Sequence, residues 1–241
     1  MVVTWPPNRS FNGKFSDLFE DISETSFVYK DVKESQKSTF RKGLEEKFRI
    51  RKIFQGQVKR DFYHDDLEAP DQEHLSQLMK FRQIQVKTVH RFLYPEDFSY
   101  LKPRKFIDEE IVEITNKFSD YTVGLHIRRG DHLLAIKNSP IDGFRQQMDL
   151  LLEKEERASF FLATDDNEVR EFLISRYGKA VITSARPVSR ISEEGSVTAT
   201  IDLFCLSKTS EIWGSKGSSF SETAHHLGKT ILKFIENLEL V

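Results

Sequence analysis

Two arginines and a histidine lie close together in segment 124–131, which reads Gly-Leu-His126-Ile-Arg128-Arg129-Gly-Asp131. The guanidinium group of arginine is a planar fork whose donors match the oxygens of a phosphate. Two such groups beside an imidazole indicate a ligand with two or three phosphates rather than a neutral ligand. Asp131 is placed to hold one of the arginines in position. An ion-pair cluster on the surface would explain the same residues equally well, so both interpretations stay open at this point.

Two adjacent carboxylates, Asp165 and Asp166, follow the apolar segment 159–164. Carboxylates directly after a strand can bind Mg²⁺, orient a ribose or cap the next helix. An aspartate at a helix N-cap accepts hydrogen bonds from free backbone N–H groups and stabilises the helix by ~1 kcal/mol. Capping is therefore the favoured interpretation for one of the two.

A third polar region contains Asp202 and the loop 215–221, which reads Ser-Lys-Gly-Ser-Ser-Phe-Ser. Small hydroxyl residues and glycine between a strand and a helix can present N–H and O–H groups to a phosphate. A loop of this kind is weak evidence by itself. Three polar loops at successive strand ends make a phosphate site a much stronger prediction.

Strands and helices are expected to alternate in the second half of the chain. Segments 121–127, 159–164, 180–183 and 211–214 have the composition of strands, and amphipathic segments lie between them. This alternation predicts a parallel, doubly wound, Rossmann-like α/β sheet, which binds ligands at the carboxyl ends of its strands. The three polar regions all fall at such ends.

The helices are predicted from the spacing of apolar residues. After residue 102, intervals of four, three and four produce one apolar stripe: Ile107, Ile111, Ile114 and Phe118. The helix after residue 164 is expected to face the core through Val169, Phe172 and Leu173. The last segment is predicted to be a helix whose apolar side contains Leu227, Ile231, Phe234, Ile235 and Leu238.

The first hundred residues are less regular. A strand is expected at Val2 to Trp5, stopped by two prolines, and a short helix near residue 15. Segment 33–60 has ten basic and three acidic residues, a local charge of +7, and a solvated face explains it better than a nucleic-acid site does. We therefore expect a small lobe over 1–101, a connecting helix over 102–118 and a second lobe over 119–241.

Composition excludes several classes of protein. The 241 residues include 36 Lys+Arg and 38 Asp+Glu, a formal net charge of -2 that argues against a protein dedicated to coating DNA. The single cysteine, Cys205, excludes a fold stapled by internal disulfides. No apolar run approaches the ~18–20 residues that span a bilayer, and the first residues lack a signal-peptide pattern. A cytoplasmic protein is the expectation.

The three polar regions together resemble the fucosyltransferase superfamily, which includes the α-1,6-, α-1,2- and protein O-fucosyltransferases. The resemblance covers about residues 102–228, and the motif at 126–131 is its most specific part. It implies a GT-B-like fold, in which two Rossmann-like lobes with parallel sheets enclose the nucleotide sugar. The amino-terminal lobe would be abbreviated here. A looser match places Asn12 and Gly13 in a loop that faces the same cleft.

The resemblance also implies roles for individual residues. Arg128 would act on the β-phosphate and Asn12 is the second catalytic candidate, while Asp131 and Asp165 would hold the arginines. Asp202 would accept hydrogen bonds from the guanine edge, and Asp166 would lie beside the nucleoside. The donor-binding residues it implies are His126, Arg128, Arg129, Asp166, Asp202, Ser218, Ser219, Phe220, Asn12 and Gly13.

The activity implied is inverting transfer of a sugar, with fucose from GDP-fucose favoured, to a glycan hydroxyl. No metal and no further cofactor is expected, and the partners are a nucleotide-sugar donor and a glycan acceptor, without nucleic acid. The motifs identify no general base. A catalytically silent nucleotide-sugar or glycan-binding module of the same fold is the alternative, and a phosphohydrolase built on the aspartate pairs is a weaker third.

Overall fold

The computed structural model describes residues 2–5, 14–20, 28–31, 59–62, 83–86, 98, 101–130, 132–188 and 192–236. The chain divides into two compact units, one made of 1–34 with 97–241 and the other of 35–96. In the smaller unit, β3 (Lys59–Phe62) and β4 (Gln83–Val86) form a parallel pair. The division into lobes expected at 101–119 stays a prediction.

The larger unit contains two parallel sheets and seven described helices. Strands β1 (Val2–Trp5) and β2 (Val28–Asp31) pair with each other, which confirms the strand expected at Val2. The other strands are β5 (Thr122–Ile127), β6 (Ser159–Thr164), β7 (Val181–Ile182), β8 (Glu211–Ser215) and β9 (Ile231–Ile235). The helices are α1 (Phe15–Leu18), α2 (Lys105–Thr115), α3 (Leu133–Asn138), α4 (Ile141–Lys154), α5 (Asn167–Tyr177), α6 (Glu193–Leu206) and α7 (Ser219–Gly228).

The main sheet has the strand order β7-β6-β5-β8-β9, and every pairing is parallel. The chain winds outward from β5 through β6 to β7, then returns to the other side of β5 to form β8. The strand order therefore reverses between β5 and β8. In open α/β sheets the crevice at such a reversal, beyond the carboxyl ends of the strands, is where ligands bind.

Apolar side chains alternate between two hydrophobic layers, one on each face of the sheet. Phe161 and Ile212 pack with α2 and α6, whereas Phe160, Leu162 and Trp213 pack with α4 and α5. This alternation follows from the period of two along a strand. The two layers hold β5, whose six residues are all buried, rigidly between helices.

Helix α2 confirms the apolar stripe predicted from spacing, since Ile107, Ile111 and Ile114 are all buried. Burial of each such side chain contributes ~1.5–3 kcal/mol to folding. In α5, however, the predicted apolar face is wrong at Phe172, which is 46% exposed. Val169 and Leu173 are buried against the sheet there, and Tyr177 packs beside them.

The terminal helix predicted from residue 227 onwards is wrong. Helix α7 ends at Gly228, and Lys229 adopts a left-handed conformation with φ 53°. That residue reverses the chain direction, so that Ile231–Ile235 extends as a fifth parallel strand beside β8. Isoleucine and phenylalanine favour strands, and pairing with an existing strand outweighs the weak helical spacing. The short helix α3 has no apolar period and was not predicted.

Candidate functional site

A cavity of about 400 Å³ opens at the carboxyl ends of β5 and β8, where the strand order reverses. Protein pockets that bind small molecules commonly have volumes of ~300–1,000 Å³. The walls are formed by residues after β5, the end of β6, one face of α6 and the loop 217–220. The three polar regions singled out in the sequence thus meet in one place.

Arg128 lines this cavity and lies in the turn that follows β5. Its guanidinium Nη1 forms an ion pair with Oδ2 of Asp165, and each side chain is only 12% exposed. Its backbone N–H donates to Oγ of buried Ser215 at 3.0 Å. Asp165 also accepts the N–H of Arg129 at 2.7 Å, which fixes the carboxylate at both oxygens. These contacts hold Arg128 in place before any ligand binds, and the expected role of Asp165 in a donor site stays a prediction.

The turn after β5 depends on Gly130, which has φ +37°. A Cβ there would lie 2.8 Å from Oδ2 of Asp165. Left-handed backbone favours glycine, and the close approach excludes any larger side chain. Gly130 therefore allows the turn to close tightly over the carboxylate that holds Arg128.

Arg129 lies elsewhere. Its side chain is buried and donates to the carbonyl oxygens of Ser139 at 2.8 Å and of Arg128 at 3.1 Å. Burial lowers its pKa, and the charge of Asp166 partly opposes this. Arg129 does not line the cavity, so its contacts are those of a structural residue. Its expected role in donor binding stays a prediction.

His126 is the second-last residue of β5 and lines the cavity together with Arg128. Its Nδ1 lies 2.7 Å from Oγ of Ser221, and its ring packs on Phe220 with centroids 4.8 Å apart. Burial, followed by the positive charge of Arg128, lowers the pKa of His126 from 6.5 to about 3. The imidazole is therefore neutral at physiological pH and can form hydrogen bonds without adding charge.

Asp202 closes the other end of the cavity, on α6. Its Oδ1 is enclosed by protein and has no hydrogen-bond partner in the part of the chain that the structure describes. Burial raises the pKa of Asp202 to about 8, although the charge of Arg170 lowers it and that of Glu110 raises it further. A buried acceptor without a partner is unfavourable, which indicates a site for a ligand that donates hydrogen bonds.

The loop before α7 forms the wall between these two ends. Gly217 has φ +79° and leads into Ser218, the N-cap of α7, whose side chain makes no capping hydrogen bond. The first N–H groups of a helix and the helix dipole favour a bound anion at such an end. Ser218, Ser219 and Phe220 line the cavity, and their expected contacts with the donor stay predictions.

Asp166 is the N-cap of α5, and its carboxylate accepts the N–H of Val169 at 3.1 Å. The capping interpretation is thus correct for this aspartate, which does not line the cavity. A contact with the nucleoside stays a prediction. Asn12, Gly13 and Asp131, for which roles were predicted, lie outside the described residues.

Sequence reasoning missed several cavity residues, above all His132, which begins the unpredicted helix α3. Val188 and Thr198 also line the cavity, and no local pattern marked them. Ser215 and Ser221 were part of a recognised polar loop, but their partners, Arg128 and His126, are visible only in three dimensions. The signal available for His132 was its position directly after the arginine motif.

The described residues also bear on metal binding and on membrane insertion. Among them, no three histidine, cysteine, aspartate or glutamate side chains come together in a way that could hold a metal ion. None of the helices in the described ranges combines the length and the apolar composition needed to cross a bilayer.

Comparison with solved structures finds the same fold. The chain superposes on NodZ alpha-1,6-fucosyltransferase soaked with GDP-fucose with a TM-score of 0.53 and 17% identity, over 94% of this chain and 81% of that chain. NodZ from Bradyrhizobium gives 0.53 and 16%, over 93% and 81%. A variant of Arabidopsis thaliana FUT1 in complex with GDP gives 0.52 and 14%, over 92% of this chain and 61% of that chain.

No protein-family model matches the sequence, and no curated relative does. The structural likeness confirms the predicted resemblance to fucosyltransferases and the α/β, GT-B-like fold class. At these identities the likeness is one of fold. What the cavity does follows from its own residues.

Proposed function

We propose that the protein is an inverting glycosyltransferase that transfers fucose from GDP-fucose to a hydroxyl group of a glycan without a metal ion. The observation that carries this proposal is the position of Arg128. Its guanidinium is held by Asp165 in the cavity where the strand order reverses, beside the start of α7. A guanidinium held at that place can bind the diphosphate that leaves in the reaction.

The guanine base is assigned to the end of the cavity formed by α6. Gly195, Ser196 and Ala199 are small residues that line the cavity with Asp202, which leaves room for a flat purine ring. The N1–H and N2–H groups of guanine are two donors that one carboxylate can accept. An adenine has no such pair of donors on that edge, so Asp202 supports selection of guanine.

The diphosphate is assigned to the opposite end. Arg128 provides a planar pair of donors, and the first N–H groups of α7 lie beside Ser218 and Ser219. Charge-assisted hydrogen bonds from a guanidinium are about twice as strong as neutral ones. The two groups together would compensate much of the charge of a nucleoside diphosphate.

In the reaction, the acceptor oxygen attacks the anomeric carbon from the side opposite the diphosphate. A carbon–oxygen bond forms to the acceptor, the bond to the β-phosphate oxygen breaks with its electron pair, and configuration is inverted. Negative charge grows on the β-phosphate as the bond breaks. Arg128, already oriented by Asp165 and Ser215, stabilises that charge more in the transition state than in the ground state.

The proton of the acceptor hydroxyl needs a base, and the described lining residues supply no suitable one. Asp165 is paired with Arg128, and Asp202 is assigned to the guanine ring of the nucleotide. The lowered pKa of His126 makes its imidazole a weak proton acceptor. This observation favours the second candidate, a silent module that binds the nucleotide sugar without turnover. Binding and turnover must therefore be measured separately.

The first experiment is a nucleotide panel with EDTA present. Thermal shift and calorimetry with GDP, ADP, UDP and CDP test the donor class without knowledge of the acceptor. We expect stabilisation by GDP alone among the four. Stabilisation by UDP or CDP but not GDP would contradict the role of Asp202. Release of GDP from GDP-fucose in the presence of glycan acceptors then separates the enzyme from the silent module.

The second experiment removes the guanidinium. Arg128→Ala is expected to abolish GDP release, and Arg128→Lys to leave a small residual rate, because lysine keeps the charge but loses the fork. Arg157→Ala is the control, since Arg157 pairs with Glu155 on the surface and lies outside the cavity. Transfer by Arg128→Ala at the rate of the unchanged protein would refute the assignment.

A further inference from the structure

His132 lies in the cavity wall and has no role in the proposed mechanism. It lies in the same turn as Arg128 and lines the same end of the cavity. Its Cε1 is 4.0 Å from the point where a Cβ would stand on Gly217, so its ring reaches the loop before α7. The imidazole therefore lies where the loops after β5 and β8 approach each other.

The ring of His132 is fixed by the start of α3. Its Nδ1 accepts the backbone N–H of Ala135 at 3.0 Å, and its own backbone N–H donates to the carbonyl oxygen of Arg129 at 2.9 Å. A nitrogen that accepts a hydrogen bond carries no proton. In this arrangement the proton of the neutral ring is on Nε2, which is a donor and cannot act as a base.

On the basis of the proposed function, we infer that Nε2–H of His132 binds the β-phosphate of the nucleotide, as a second donor beside Arg128. Three observations support this. The ring lines the end of the cavity that holds the guanidinium and the start of α7. Its tautomer presents a donor, as a phosphate oxygen requires. Its orientation is set before any ligand binds, so little rotamer entropy is lost on binding.

A purely structural role is the competing explanation, because His132 is the N-cap of α3. Two substitutions separate the roles. Serine is among the best N-cap residues but is too short to replace Nε2, so His132→Ser keeps the cap and removes the donor. Glutamine places an amide nitrogen near the position of Nε2 but is not a favoured N-cap, so His132→Gln does the reverse.

The experiment is calorimetric titration of the full chain with GDP and with GMP. If the inference is correct, His132→Ser weakens GDP binding by about tenfold or more, as expected for loss of a hydrogen bond to a charged group. GMP binding by the same variant changes less than about threefold, because GMP lacks the β-phosphate. His132→Gln retains most of the affinity for GDP.

Three results would overturn the inference. GDP binding by His132→Ser equal to that of the unchanged protein would make the residue a cap only. Equal losses for GDP and GMP would place the contact away from the β-phosphate. If the unchanged protein binds no GDP at all, the proposed function itself fails, and this outcome is distinct because it needs no variant.

Discussion

The raised pKa of Asp202 predicts that affinity for guanine nucleotides rises with pH. The ionised carboxylate accepts both donors of the guanine edge, whereas the protonated acid offers a single carbonyl oxygen for them. Only the ionised fraction is fully competent to bind. The apparent dissociation constant is the intrinsic one divided by that fraction.

The magnitude follows from a pKa of about 8 in the free protein. The ionised fraction is then about 1% at pH 6 and about 75% at pH 8.5, so affinity should increase about 75-fold between these values. At pH 7 the free carboxyl is about 90% protonated, and binding should release about 0.9 proton. Binding is thus weaker at lower pH, and the rise in affinity with pH levels off above pH 8.

The assay is calorimetric titration with GDP from pH 6 to 8.5, in buffers of different ionisation enthalpy to count released protons. Asp202→Asn is the control, because asparagine does not ionise. It also corrects for ionisation of the phosphate of GDP, which changes equally in both proteins. A flat profile in the unchanged protein, or the same slope in Asp202→Asn, would refute the reasoning.

The same shift predicts an effect on the stability of the protein without ligand. The folded state holds a proton on Asp202 at pH values where the unfolded chain, with a carboxyl pKa near ~3.9, has lost it. The free energy of unfolding therefore falls as pH rises from about 4 to about 8. Asp202→Asn should lack this part of the decline, as measured by urea denaturation at several pH values.

Three more substitutions test the framework of the site. Asp165→Asn should lower the free energy of unfolding by ~3 kcal/mol, because the partly buried Arg128 loses its counter-charge. GDP should raise the melting temperature of this variant more than that of the unchanged protein. Ser221→Ala should weaken GDP binding and lower stability by ~1–3 kcal/mol, since it leaves Nδ1 of His126 without its buried partner. Calorimetry measures the effect on binding and denaturation the effect on stability, and an unchanged variant would contradict this prediction. Gly228→Ala would place a Cβ in steric conflict with the carbonyl oxygen of Ser207 at the end of α6. Denaturation should therefore show a loss of at least ~1–3 kcal/mol, and an unchanged midpoint would show that the two helices separate at no cost.

Much of the fold could be predicted from the sequence because its signals are local. Strand β6 has the bounds that its composition predicted, and α2 buries the three isoleucines that share one stripe. The predicted terminal helix failed because tertiary pairing outweighed the local pattern. Segment 231–235 has spacing compatible with a helix, but the left-handed Lys229 and pairing with β8 make it a strand.

The chemical groups of the site were also recognisable, because arginine pairs, neighbouring aspartates and serine-rich loops are unusual at strand ends. The sequence alone could not assign a partner to each. Asp165 and Asp166 are adjacent, yet one holds Arg128 and the other caps α5. Similarly, Arg128 faces the cavity, whereas Arg129 donates to buried carbonyl groups.

The sequence by itself determined the fold class, the parallel sheet and the polar groups at its carboxyl edge, since these depend on periodicity and on side-chain chemistry. Only the tertiary structure decided which groups meet. The reversal of strand order between β5 and β8 brings residues 128, 132 and 218 to one cavity across about ninety positions of chain. Burial then determines their charge, because removal from water keeps His126 neutral and raises the pKa of Asp202.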